Sequence, residues 1–189
     1  MLNRRDVVRA LLRERGELLV ISGLGAPTYD VAAVGDDDRN FHLWGAMGGA
    51  CMIGLGLALA RPERRVLVIT GDGEMLMGLG SLATIAQRMP VNLAMVVLDN
   101  GRYGETGNQP SHTSGPTDLV AVARGCGLGR AMDVVDTSGV DQLRNAIHDG
   151  GGTLFARVRI DEREEPRVLP ARDGIALKTR FRRALGITA

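Results

Sequence analysis

Residues 66–101 read VLVITGDGEMLMGLGSLATIAQRMPVNLAMVVLDNG. Two runs in it, VLVIT at 66–70 and LAMVVLD at 93–99, have the length and apolar continuity of strands buried on both faces. One helix, expected from about 75 to 87, fits between them, so the second strand can return parallel to the first. The same alternation extends in both directions. LLVIS at 18–22 reads as an earlier strand, preceded by a helix with Val7, Val8, Leu11 and Leu12 on one face and followed by a short helix over about 28–34. An acidic turn, Asp36 to Asp38, leads to NFHLW, and Gly45 to Ala60 reads mostly as a helix of small residues. Downstream, helices are expected over 118–125 and 139–148 and strands near 131–135 and 153–160. A charged tail from about 161 leads to a basic helix at about 175–185. This order predicts an α/β fold, a doubly wound and mainly parallel sheet with helices on both faces, forming a single domain over 1–189.

Composition narrows the functions such a domain can serve. At 44% hydrophobic and 24% charged residues, the chain has the make-up of a globular protein with a true core. Its net charge of +1 supplies no overall field for nucleic acid or an anionic membrane, so any anion site must be local. One Trp, two Tyr and three Phe are too few for a stacking platform. Glycine, at 26 of 189, is about twice its usual share of roughly 7%, which points to sharp turns and close backbone approaches. Cys51 and Cys126 make no disulfide scaffold and are expected to be packing residues in a reducing compartment. No apolar run reaches 18 residues, and a cytoplasmic location is expected. Arg5, Arg9 and Arg13, at i, i+4 and i+8, read as a solvated helix face.

In doubly wound folds ligands bind where strands end, which singles out Ser22 to Pro27, Gly45 to Gly49, Gly71 to Glu74 and Asn100 to Thr113. Gly71-Asp72-Gly73 stands between a strand and a helix. There backbone N–H groups converge on an anion and a carboxylate can hold its counter-cation, although a plain strand-to-helix turn would use the same residues. The 25 residues from Glu74 to Leu98 bring Asp99-Asn100-Gly101 to the end of the neighbouring strand. Asp72 and Asn100 can then meet as hard oxygen ligands of the kind Mg²⁺ takes. The polar loop at 100–117 is long enough to be functional or mobile. His42 and His112 are candidates for proton transfer or substrate contact, or ordinary polar positions.

With these motifs the chain, over about residues 5–160, resembles the diphosphate-binding domain of the thiamine diphosphate-dependent 2-oxoacid decarboxylase family. There GDG is followed some 25 residues later by Asn-Asn. Here the pair is Asp99-Asn100, so its first position departs from the commonest form. The resemblance implies that Asp72, Asn100 and the main-chain oxygen of Arg102 hold Mg²⁺, and that Gly71 and Gly73 admit the diphosphate. Tyr103 and Gly104, next in the loop, join the expected cofactor contacts, and Ser22 and Gly23 could touch the diphosphate or pyrimidine. Glu74 stands where the family often has a small or hydroxylated residue. A carboxylate beside a diphosphate would repel it, so Glu74 is expected to point aside. In FHLWGAMGGA, Met47 matches the residue that wedges the cofactor into a bent shape, and Gly45 the glycine whose carbonyl receives the pyrimidine amine. A methionine packed in a helix-start core is the other reading of Met47.

The loop NGRYGETGNQPSHT at 100–113 is most similar to the sulfopyruvate decarboxylase beta-subunit branch, and less closely to the C-terminal domain of phosphonopyruvate decarboxylases. That likeness implies a carbon–carbon lyase with Met47 and His112 as catalytic candidates. Asn108, Gln109, His112 or the Arg102 side chain would hold a sulfonate. The pyrimidine-binding domain and its catalytic glutamate would come from an alpha subunit in a hetero-oligomer. Another thiamine diphosphate-dependent lyase or carboligase subunit, and a non-catalytic phosphate- or nucleotide-binding module, stay open as alternatives.

Overall fold

The structure, a computed structural model, describes residues 1–187. In chain order it runs α1 Arg4–Leu12, β1 Leu19–Ser22, α2 Ala26–Ala33, β2 Asn40–His42, α3 Ala50–Ala60, β3 Val66–Gly71, α4 Asp72–Met77, α5 Ser81–Arg88 and β4 Leu93–Asp99. A two-stranded hairpin follows, β5 Arg102–Tyr103 and β6 Gln109–Pro110, then α6 Leu119–Gly125, β7 Ala131–Val134, α7 Thr137–Asp149, β8 Leu154–Arg159 and α8 Gly174–Ala184. Six strands make one sheet in the order β2-β1-β3-β4-β8-β7, with every pairing parallel. The chain is therefore α/β and doubly wound, as the alternation predicts. The central strands β3 and β4 are buried almost throughout, which is why they read as unbroken apolar runs rather than alternating ones.

Successive strand residues point to opposite faces, so each strand feeds two cores. Val66, Val68, Met95 and Val97 pack with α3, α5, α6 and Phe181 of α8, while Leu67, Ile69, Val96 and Leu98 pack with α1, α2 and α7. Side-chain caps begin several helices: Asn3 for α1, Asp118 for α6, Asp136 for α7 and Asp173 for α8. Each such cap contributes about 1 kcal/mol. No helix among the described residues is long and apolar enough to cross a membrane.

Three local expectations need correction. The helix expected over about 75–87 is two helices, α4 and α5, broken at 78–80. Gly78 lies against the backbone of Gly48, where a Cβ would stand 2.3 Å from the Gly48 carbonyl oxygen, so a distant turn presses the chain out of helical continuity. The helix read from Gly45 begins only at Ala50, because Ala46 and Gly48 take positive φ (56° and 90°) and form a turn instead. Arg5 is not on a solvated face: its Nε donates to the buried Asp30 at 3.1 Å and its guanidinium to the Pro166 carbonyl at 2.7 Å.

The charged segment at 161–173 is anchored at both ends. Asp161 N donates to Leu2 O, Asn3 reaches Glu165 at 2.6 Å, and Trp44 Nε1 donates to Ala171 O at 2.8 Å. Cys51 is buried with its Sγ 3.9 Å from Met75 Sδ, and burial pushes its thiol up to about 12; Cys126 is half-buried. Cys51 is thus a packing residue in an apolar site.

Candidate functional site

The connection after β1 runs to β2 on one side of the sheet and that after β3 to β4 on the other, so the strand order reverses between β1 and β3. A crevice opens at such a point by necessity. Its wall includes Leu24, Met47, Gly71, Asp72, Asn100 and Tyr103. Of the residues named individually from the sequence, Met47, Gly71, Asp72, Gly73, Glu74, Asn100, Arg102, Tyr103, Gly104 and Asn108 line this one crevice. Ser22, Gly23, Gly45 and His112 stand outside its lining.

Asp72 opens α4, is 2% exposed, and pairs with no Lys or Arg among the described residues. Burial pushes its carboxyl up to about 6, against the hydrogen bond from Ser111, and the nearby charge of Asp99 adds to the rise. A buried carboxylate beside a second one, with no cationic side chain to balance it, is chemically suited to a cation. No trio of His, Cys, Asp or Glu gathers as a metal cluster among the described residues. Asn100 and Arg102 line the same crevice as Asp72 and offer an amide and a main-chain oxygen. That set suits Mg²⁺, which is usually held by one or two carboxylates plus phosphate and water. Asn100 Oδ1 accepts from Arg102 N at 3.0 Å, a turn that keeps the two in register. Over Gly71 the space is open: a Cβ placed there would have Pro27 Cγ, 4.0 Å away, as its nearest neighbour, which leaves room for an anion between β3 and the start of α2. The residues present therefore fit a diphosphate with its magnesium.

Glu74 lines the crevice, but one of its carboxylate oxygens is engaged by neighbouring residues. Its Oε2 accepts from Leu24 N and from Thr70 Oγ1, both at 2.8 Å, and it sits so close to Gly23 that a Cβ there would be 2.0 Å away. It braces the β1–α2 turn from below. Gly23 is consequently occupied by this brace rather than open to the crevice. The ring of Tyr103 covers Gly73, with Met47 Cε on the same side. Met47 itself is 38% exposed, so it is no core methionine. His112 is exposed on a 3-10 turn, with Nδ1 3.4 Å from the Tyr103 hydroxyl.

Ser22 and His42 belong to a buried network instead of the crevice. Ser22 Oγ lies 2.7 Å from both Thr28 Oγ1 and His42 Nδ1, His42 Nε2 lies 3.1 Å from Asp36, and Arg180 of α8 holds Asp36 with two hydrogen bonds. Burial pushes His42 below its usual value of 6.5, and Asp36 only partly opposes this. Burial would raise Asp36, yet the bonds from Arg180 and His42 hold it below its usual 3.8. Folded His42 resists protonation that the unfolded chain accepts, so its contribution is present above pH 6.5 and lost as pH falls; that of Asp36 is lost on further acidification below 3.8. The urea midpoint should therefore drop between about pH 7.5 and about pH 5.5. The drop should shrink in His42→Gln, and equal drops in the two proteins would contradict the assignment.

Sequence reasoning missed Ser111 and Thr113, whose hydroxyls reach Asp72, and the tail, whose Arg163 and Arg167 border the crevice with Arg4 of α1. An S-x-T pair in a polar loop carries no signal of its own, and only the loop's return makes it visible. Arg102 and Gln109, candidates for substrate contact, have other partners: Arg102 pairs with Glu162 at 3.2 Å, and Gln109 bonds Thr106 within the hairpin.

A crevice at the switch point, walled by glycine, the buried carboxylates of Asp72 and Glu74 and the Asn100 amide, defines an α/β ligand-binding domain suited to a phosphorylated group. The model of the thiamine pyrophosphate enzyme C-terminal TPP-binding domain matches residues 30–155, two thirds of the chain and all of the crevice motifs from Met47 to Thr113. The chain belongs to that family. It is 41% identical over 151 residues to sulfopyruvate decarboxylase subunit beta of Methanocaldococcus jannaschii, covering 77% of this chain and 78% of that one. It is 39% identical over 160 residues to phosphonopyruvate decarboxylase of Streptomyces viridochromogenes, covering 80% of this chain but 39% of the relative. In fold it matches benzoylformate decarboxylase from Polynucleobacter necessarius with a TM-score of 0.70 at 20% identity, over 87% of this chain and 34% of that one.

Proposed function

We propose that this chain is the beta subunit of a cytoplasmic, thiamine diphosphate- and Mg²⁺-dependent decarboxylase of sulfopyruvate, completed by an alpha subunit with the pyrimidine-binding domain and catalytic glutamate. The observation that carries this reading is the gathering of Met47, Gly71, Asp72 and Asn100 on one crevice wall. It does so in a chain alike to a sulfopyruvate decarboxylase beta subunit along more than three quarters of both lengths. When bound, the cofactor supplies the carbon nucleophile and electron sink that decarboxylation of a 2-oxoacid requires. The chain's residues bind and orient it. Asp72, Asn100 and the Arg102 carbonyl would hold the metal, the open side of Gly71 would admit the diphosphate, and Met47 would press on the rings. His112, exposed beside Tyr103, is the candidate for proton transfer or for holding the sulfonate.

A partner is supported by α3, which is apolar on all sides and leaves Met52, Ile53 and Leu59 exposed at 42%, 37% and 43%. A helix without a polar face belongs in a larger core. Phosphonopyruvate is the second substrate to test, because of the Streptomyces relative. Assay of the two-subunit complex on sulfopyruvate, phosphonopyruvate and pyruvate decides between them, and preference for pyruvate would reject both substrates while leaving the cofactor site standing.

Met47→Ala should separate binding from turnover. Its side chain is apolar and exposed at the crevice, and it offers no oxygen to the metal. Cofactor affinity should therefore change little, while kcat falls on the order of 100-fold from lost ring placement. Equal losses in both would make Met47 a structural residue only.

A further inference from the structure

The loop after β4 returns to the crevice and sets two hydroxyls beside Asp72, a carboxylate of its wall. Ser111, 3% exposed, donates from Oγ to Asp72 Oδ2. Thr113 Oγ1 lies 3.2 Å from that same oxygen, 2.7 Å from Asp99 Oδ1 and 2.9 Å from Ser111 Oγ. Each hydroxyl has one proton to give. The shorter contacts assign the Ser111 proton to Asp72 and the Thr113 proton to Asp99. Backbone bonds hold the pair in place: Ser111 N donates to Gly101 O at 2.8 Å, and Ser114 Oγ to Ser111 O at 2.7 Å. Asp99 Oδ1 also accepts from Gly101 N at 3.0 Å, so one oxygen organises both the start and the return of the loop.

We infer that Ser111 and Thr113 are positioning residues for the cation site: Ser111 holds Asp72 by Oδ2, leaving Oδ1 for the metal, and Thr113 fixes the returning loop on Asp99, so that together they staple the end of β4 to the end of β3. Asp99, where the family pattern has asparagine, is the anchor of Thr113. Neither side-chain hydrogen bond to Asp72 uses Oδ1. Groups that orient a metal-ligating carboxylate commonly change metal affinity by 10- to 100-fold when removed. With both hydroxyls turned inward, His112 between them faces outward, so the staple also sets where that imidazole stands.

The inference rests on the reading of Asp72 as a metal ligand, and the test separates the two. Calorimetric titration of thiamine diphosphate at a series of Mg²⁺ concentrations, on the full chain with its partner subunit present, reads the metal requirement without an activity assay. Ser111→Ala and Thr113→Val should each raise the half-saturating Mg²⁺ concentration by about 10-fold, and the double variant by up to about 100-fold. Ser111→Thr and Thr113→Ser, which keep a hydroxyl, should stay near the unsubstituted protein, a recovery that a purely packing role would not produce. Should the double variant fail to fold, Thr113→Val alone, an exchange of similar shape, decides by the same titration. An unchanged Mg²⁺ requirement in the hydroxyl-free variants, with binding lost in Asp72→Ala, overturns the staple and leaves the metal reading intact. Unchanged binding in Asp72→Ala overturns both.

Discussion

Asp72→Ala and Asn100→Ala are each expected to weaken Mg²⁺-dependent binding of thiamine diphosphate by about 100-fold or more, beyond what loss of a supporting group costs. Asp72 is the charged member of the ligand set proposed for the metal, and without it the metal would rest on the neutral oxygens of Asn100 and Arg102. The fold should survive. Asp72 stands at a strand end outside both apolar clusters and is held by the loop hydroxyls rather than by core contacts. Removing a buried carboxylate pushed up to about 6 also relieves a desolvation cost, so Asp72→Ala should melt no earlier than the unsubstituted protein in the absence of metal. Titration calorimetry and a thermal melt check the two halves. Full affinity in either variant would remove the GDG and Asp-Asn residues from the site.

Decarboxylation should be absent from the chain alone and appear on mixing with a subunit that carries a pyrimidine-binding domain. The difference should approach all or none, because in the proposed function the pyrimidine-binding domain and its catalytic glutamate come from the partner. The crevice agrees with this in one respect. The turn from Gly45 to Met47 and the outer face of α3 are open, with Met47, Met52 and Ile53 exposed together with Met77 of α4. Mixing should bury this face, and light scattering alongside the activity assay follows both events. Turnover by the rigorously purified single chain would falsify the divided-site reading.

Much of the fold and the centre of the site were legible in the chain itself. β3 and β4 announce themselves because a strand buried on both faces must be apolar at every position, and the interval between Asp72 and Asn100 leaves room for one helical crossover and a parallel return, although the crossover is broken into α4 and α5. Ten of the singled-out residues meet in one crevice because they stand at or beyond the ends of β2, β3 and β4, parallel strands of one sheet. Charge repulsion alone predicts that Glu74 points aside, but not that it lines the crevice while bracing Leu24 N and Thr70. Ser22 looked like a strand-end ligand because its sequence position says which end of β1 it occupies and nothing about which way its hydroxyl points.

What the sequence by itself determined is therefore the order of elements, the parallel sheet and the address of the GDG and Asp-Asn motifs, because periodicity and spacing are properties of neighbouring residues. Only the tertiary structure decided the break between α4 and α5, the staple from Ser111 and Thr113 onto Asp72, the chain from Ser22 through His42 and Asp36 to Arg180, and the passage of the tail beside the crevice. Each depends on groups far apart in the chain: Gly48 against Gly78, Ser111 and Asp72 at a sequence separation of 39, Arg180 and Asp36 at one of 144. Hydrogen-bond partners and close contacts at such separations are chosen by packing in three dimensions, and a polar residue in a loop looks the same in sequence whether it faces water or completes a site.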